Sequence, residues 1–277
     1  MKHAICVFAA SAVVVTACSS SSPRAAAPPP TPSTTTTVPA VLGPVRTTSE
    51  QPVSAVYAQG VARIPGGWIF SGTDSLWRTD DHLKEVRSLN PAIPPAWTAR
   101  GFDHIGDIDV VGRYIYAPLE QPDYAKGYQA TARYDRDTFR FIDAVVLPQH
   151  ENSFVSVDPK TMTAYTMDHF DGKAVLRYNI ARGWRRLAPL PLTALLHHTQ
   201  GADVLNGVLW ISTSDPQNHL YAVDLATGRV RADGSAGHVP GEGEGLDATA
   251  LASGDVHTLV VDPKINPVWF EHFRVGP

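Results

Sequence analysis

Cysteine is nearly absent from this chain: Cys6 and Cys18 are the two among 277 residues. Beyond position 18 no disulfide can form, so any fold there is held by burial of its core. An excess of positive charge is missing as well, with 23 Lys and Arg against 27 Asp and Glu and a net charge of −4. That balance excludes the basic face a nucleic-acid binder needs. No GxSxG, HExxH, CxxC or GxxxxGK[ST] occurs, so no motif names a reaction. DHFDGK (168–173) lacks the ligand spacing and terminal Glu of an EF-hand, and GEGEG (241–245) is followed by no Lys or helical pattern. No long segment shows helical periodicity.

A hydrophobic run long enough to span a bilayer is also missing. Met1-Lys2-His3 is a short positive start, and Ala4 to Val15 is apolar over the length of a signal peptide. The run ends Val15-Thr16-Ala17-Cys18, which resembles a bacterial lipobox. The resemblance implies cleavage after residue 17 and lipidation of Cys18, palmitate included, at the extracytoplasmic face of the cell membrane. The alternative is an ordinary signal peptide cut nearby. Residues 18–52 are rich in Ser, Pro and Thr with few large side chains to bury. They are expected to form an extended tether of about 3.1 Å per residue. The folded domain is expected over residues 53–277, as a monomer.

That domain repeats. QGVARIPGGWIFSGTD, HIGDIDVVGRYIYAPLE, NSFVSVDPKTMTAYTMD, QGADVLNGVLWISTSD and EGLDATALASGDVHTLVVD end at Asp74, Glu120, Asp168, Asp215 and Asp262, which are 46, 48, 47 and 47 residues apart. Each copy continues into a third apolar run (SLWRTD, TARYDR, VLRYNI, LYAVDL, PVWFEHF), and four go on to a fourth segment. Short runs rich in Val, Ile, Tyr, Trp and Phe, punctuated by Gly, Asp and Pro, read as strands. DLATG and DPKT are turn sequences. Four strands per unit and five units predict an all-β, five-bladed β-propeller. The last unit lacks a fourth strand, and an open ring would leave bare edges. A segment within Val41 to Val56 is expected to supply it. Gly60, Gly106, Gly201 and Gly245 begin the inner strands, where a missing Cβ permits close approach.

In such a ring the starts of the inner strands and the loops after the second strands open on one face, where ligands bind. The inner-strand set is Gln59, His104, Asp107, Asp109, His150, Glu151, Asn152, His198, Gln200, Asp203, Glu244 and Asp247. Among these, His104, Asp107, Asp109, His150, Asn152, His198 and Gln200 are candidate ligand contacts. Glu151, Asp203, Glu244 and Asp247 are candidate ligands for a divalent cation such as Ca²⁺. The alternative is that each satisfies backbone at a crowded loop. The five closing acids either cap the loops they end or ring the mouth. The long loop of residues 121–132 adds Tyr124, a candidate ligand contact, and Tyr128.

The QG and EG pairs before the inner strands (59–60, 200–201, 244–245) resemble those of glutamine cyclotransferase-type five-bladed propellers. The layout of residues 56–275 is also similar to the YVTN and SMP-30/gluconolactonase groups. A gluconolactonase-like enzyme would need a Glu, an Asn and an Asp on one metal, and Glu151, Asn152, Asp203 and Asp247 supply the types. Two functions stand from the sequence. One is a lipid-anchored surface module that binds a small molecule or a protein. The other is a hydrolase, lactonase-like or cyclotransferase-like enzyme with its site at the channel mouth.

Overall fold

The computed structural model describes residues 45–235, 241–262 and 267–275. The expected signal peptide, Cys18 and the expected tether up to residue 44 lie outside them. The described residues form five antiparallel sheets arranged as a five-bladed β-propeller. Blade 1 runs outward through Gly60–Ile64, Gly67–Gly72, Ser75–Asp80 and Glu85–Leu89. Blade 4 repeats the plan with Thr199–Leu205, Val208–Thr213, His219–Asp224 and Val230–Ser235. In blade 2 the inner strand is split into His104–Ile105 and Asp109–Val111, both paired with Tyr114–Glu120. In blade 3 the outer position is shared by Arg185–Arg186 and Leu190–Leu196.

The ring closes as expected. Val45–Val53 is the outer strand of blade 5, antiparallel to Val268–Val275, with Val45 opposite Val275 and Val53 opposite Val268. Residues 45–52, read from composition as tether, belong to this strand. Their side chains are mostly exposed, so burial does not mark them. What recruits them is the unpaired edge of Val268–Val275, whose backbone groups need partners.

The second strands explain how such short elements make a stable ring. Successive side chains point to opposite faces, and here both faces are covered by neighbouring blades. In blade 1, Ile69 packs toward blade 2 while Trp68 and Phe70 pack toward blade 5. Ile115 and Ala117 meet blade 1 while Tyr116 meets blade 3. Leu209 and Ile211 meet blade 3 while Trp210 meets blade 5. One apolar cluster fills each of the five blade interfaces. The near-continuous apolar runs of the sequence, rather than strict alternation, reflect this double burial.

The turn sequences act as their chemistry predicts. The Asp224 carboxylate accepts from the N–H groups of Ala226 and Thr227, and Asp158 accepts from Lys160 N–H and Thr161 Oγ1.

Candidate functional site

The axis of the ring is occupied by one side chain. Asp107 stands at the register position filled by Gly60, Gly201 and Gly245 in blades 1, 4 and 5. Its carboxylate accepts from Val61 N–H at 3.1 Å, Ala202 N–H at 2.9 Å and Leu246 N–H at 3.1 Å. Its own N–H donates to Ser153 O and its carbonyl accepts from Val155 N–H. Asp107 thus bonds to all four other blades. Burial pushes its carboxyl well above the usual range, and the three N–H groups pull it back. The glycines are what admit it: a Cβ on Gly60 would lie 2.7 Å from Asp107 Cα, and one on Gly245 2.7 Å from its Oδ1. Expected as a ligand contact, Asp107 is instead 1% exposed with its carboxylate committed to backbone.

Above this plug lies a cavity of about 360 Å³. The inner-strand starts supply Gln59, His104, Gly106, Ser153, Gln200 and Glu244 to its wall. The loops after the second strands of blades 2 and 3 supply Glu120, Gln121, Tyr124, His169 and Phe170. The structure therefore brings the two expected sets of elements together at one mouth.

Glu120 is the most informative member. It is 7% exposed, its carboxylate accepts from Asn152 N–H, and Tyr124 Oη donates to it at 3.4 Å. Burial pushes its carboxyl up to about 7, the Asn152 N–H restrains it, and the Glu151 charge adds to the rise. Glu244 is 5% exposed and is pushed well above the carboxylate range by burial, with Glu242 and Asp107 adding. Burial holds the His104 and His169 imidazoles below their ordinary range. Gln200 Nε2 donates to Glu242 Oε1 at 3.1 Å. Tyr124 and Phe170 meet edge to face at 6.3 Å.

Comparison with known proteins bears on fold. No family model and no curated protein matches the chain. Glutaminyl cyclase of Myxococcus xanthus is structurally similar at a TM-score of 0.58 and 13% identity, over 84% of this chain and 97% of that one. Hydrazine synthase of Kuenenia stuttgartiensis follows at 0.45 and 11%, over 77% and 58%. The Dos1 propeller follows at 0.43 and 10%, over 79% and 68%. At 13% identity the likeness to the cyclase is one of fold.

Several expected site residues sit elsewhere. Asp109, Asp203 and Asp247 lie at the other end of the channel, because three residues of strand carry the chain about 10 Å. There a second cavity of about 290 Å³ is lined by Asp109, Asp203 and the turns at 158–160 and 205–207. Asp109, Ser156, Asp203 and Asp247 occupy equivalent positions in blades 2 to 5. Each accepts the N–H of the next blade's inner strand: Val157 at 2.6 Å, Val204 at 2.8 Å, Ala248 at 2.7 Å and Arg63 at 2.8 Å. This is a stitch from blade to blade. Burial pushes Asp109 up to about 7 and lifts Asp203 and Asp247 as well.

Of the four expected cation ligands, Glu244 thus lines the first cavity and Asp203 the second. Glu151 accepts from Phe170 N–H at 3.0 Å. Among the described residues no group of three or more His, Cys, Asp or Glu side chains is disposed to hold a metal ion. Asn152 is spent on Ala130 O, Gln149 and Thr166. His150 Nδ1 donates to Tyr124 O at 2.9 Å, bracing the long loop from outside the cavity. Tyr128 turns inward onto the core. Of the closing acids, Asp215 caps its loop through Gln217 and His219 N–H, whereas Glu120 faces the cavity.

Residues not expected at the mouth are Asp103, Gln121, His169, Phe170 and Glu242. His169 and Phe170 lie in DHFDGK (168–173), a stretch without the ligand spacing of an EF-hand. Their signal was position: they follow the closing acid of blade 3 directly.

Proposed function

We propose that this chain is a lipid-anchored propeller at the extracytoplasmic face of a bacterial membrane whose channel-mouth cavity binds a small cationic ligand. The observation that carries the ligand reading is the charge of the wall. Asp103, Glu120, Glu242 and Glu244 line the cavity, and among the described residues no Lys or Arg does. A buried carboxylate without a cation is costly, and an ammonium or guanidinium group would pair with it. Tyr124 and Phe170 offer ring faces suited to the same charge. The anchor rests on Val15-Thr16-Ala17-Cys18 and the tether that follows.

Calorimetric titration at pH 8 with small amines, guanidines, neutral sugars and carboxylates tests the cavity. Saturable binding of a cation is expected, weakened in Glu120→Gln and in Glu244→Gln; binding of sugars or carboxylates alone overturns the reading. The anchor is tested by labelling with a palmitate analogue, and Cys18→Ala should abolish the label and release the protein from the membrane.

A second reading is favoured by Glu120. A carboxyl titrating near neutrality can take a proton from an amine nucleophile and return it to a leaving group. With a glutaminyl cyclase as a structural neighbour, the reaction to try first is cyclisation of a peptide with N-terminal glutamine, read as ammonia release. Release that survives Glu120→Gln would sink this reading.

A further inference from the structure

Two histidine pairs in this protein are held at different spacings. The Nδ1 atoms of His257 and His272 are 2.7 Å apart, a distance suited to one shared proton. His169 Nε2 and His198 Nδ1 stand 3.4 Å apart, longer than the roughly 2.9–3.0 Å of an ordinary N–H hydrogen bond. Two nitrogens on a tetrahedral centre with bonds of about 2.0–2.1 Å are separated by about 3.3–3.4 Å. Adjacent positions of a square-planar centre would bring them to about 2.9 Å.

The chemistry of each ring agrees with that spacing. His169 Nδ1 faces Thr199 O at 2.9 Å, and a carbonyl can only accept, so the proton sits on Nδ1. Nε2 is left with its lone pair directed at His198. Metal-bound imidazoles are oriented by this same bond from the far nitrogen to a carbonyl. His198 has a φ of +54°, a left-handed backbone that costs free energy for a non-glycine residue. Its carbonyl accepts from Ser214 N–H at 2.8 Å, which holds that conformation. The Phe170 ring packs on both imidazoles, with centroids at 4.6 and 5.6 Å, and supplies an apolar wall.

We propose that His169 Nε2 and His198 Nδ1 form a two-histidine Zn²⁺ site on the rim of the channel mouth. Among the described residues no third His, Cys, Asp or Glu completes a metal-binding group, so the remaining coordination positions are open to water or to a ligand in the cavity, which His169 lines. A zinc-bound water there would be acidified. The site is independent of the cationic-ligand reading, and a bound Zn²⁺ would weaken cation binding in the cavity by adding positive charge beside it.

Titration of the untagged, EDTA-treated protein with Zn²⁺ by calorimetry tests this, with Co²⁺ as a visible-absorbing probe of tetrahedral geometry. One Zn²⁺ per chain is expected, about tenfold or more weaker in His169→Asn and in His198→Asn. His197→Asn, whose Nδ1 is engaged by Phe170 O at 3.0 Å, should bind as the parent does. His198 is exposed and asparagine tolerates its backbone conformation, so that variant decides the matter if His169→Asn unfolds. No saturable one-to-one binding by the parent overturns the proposal. So does binding that survives His198→Asn, or that needs His197 equally.

Discussion

The Asp107 carboxylate accepts the backbone N–H of Leu246, 139 positions further along the chain, at 3.1 Å. With its bonds to Val61 and Ala202, that one oxygen pair ties blade 2 to blades 1, 4 and 5. Asp107→Asn keeps the shape but turns one acceptor into a donor facing N–H groups. It should destabilise the fold by about 2–4 kcal/mol, since unsatisfied buried N–H groups cost about 1–3 kcal/mol each. Urea unfolding at pH 7 measures this, and a change under half a kcal/mol would show the axis to be held by packing alone.

Ring closure makes the second prediction. A chain starting at Ala58 lacks the Val45–Val53 strand that pairs with Val268–Val275. It should melt at least about 5 °C below one starting at Gly43, as expected when a few kcal/mol of pairing are lost from a domain of this size. Equal melting temperatures would mean that the strand is dispensable.

Glu120 predicts a stability that falls with rising pH. Its folded pKa, about 7, lies above the ordinary 4.5. Its contribution is therefore full below 4.5 and is lost as pH rises through 7. Glu120→Gln cannot ionise, so the parent should lose about 3 kcal/mol more than the variant between pH 4.5 and 8. Chemical denaturation at several pH values compares the two slopes, and parallel slopes would place the Glu120 pKa in its ordinary range.

The His257–His272 pair predicts the opposite sign. Burial first, then His272 and Arg63, push His257 down to about 3, and burial lowers His272 as well. Trp68 and Phe270 pack against His257. Groups depressed in the fold contribute above their unfolded value of 6.5 and are lost as pH falls through the folded one. The parent should lose about 3 kcal/mol between pH 6.5 and 4 that His257→Gln does not. His272 lies on the strand beneath Val45–Val53, opposite Ser49, so proteolysis at the N-terminal side should become faster at pH 4 in the parent alone.

Glutamine substitution at Glu244 extends the cavity prediction. Cation affinity in the parent should rise from pH 6 to 8 as Glu120 ionises. Glu244→Gln should weaken binding yet keep that rise, and Glu120→Gln should abolish it. A flat profile in the parent would separate the binding site from Glu120.

The architecture was legible in the sequence because a blade is a local object. Spacings of 46 to 48 residues and β-rich runs between turn residues report contacts between strands that follow one another in the chain. The closing strand could be inferred too, from a last unit one strand short. Where the inner-strand acids point could not be read. Asp107, Asp109 and Glu244 share residue class and neighbourhood in sequence, yet one plugs the axis, one stitches two blades and one faces a cavity. Their fates depend on which blade's backbone stands opposite each, and the backbone partners of the two aspartates lie 46 to 139 residues away. The mouth itself was decided the same way: His169 and Glu120 became neighbours of one cavity because five interfaces set the ring, and no local pattern encodes a distance across it.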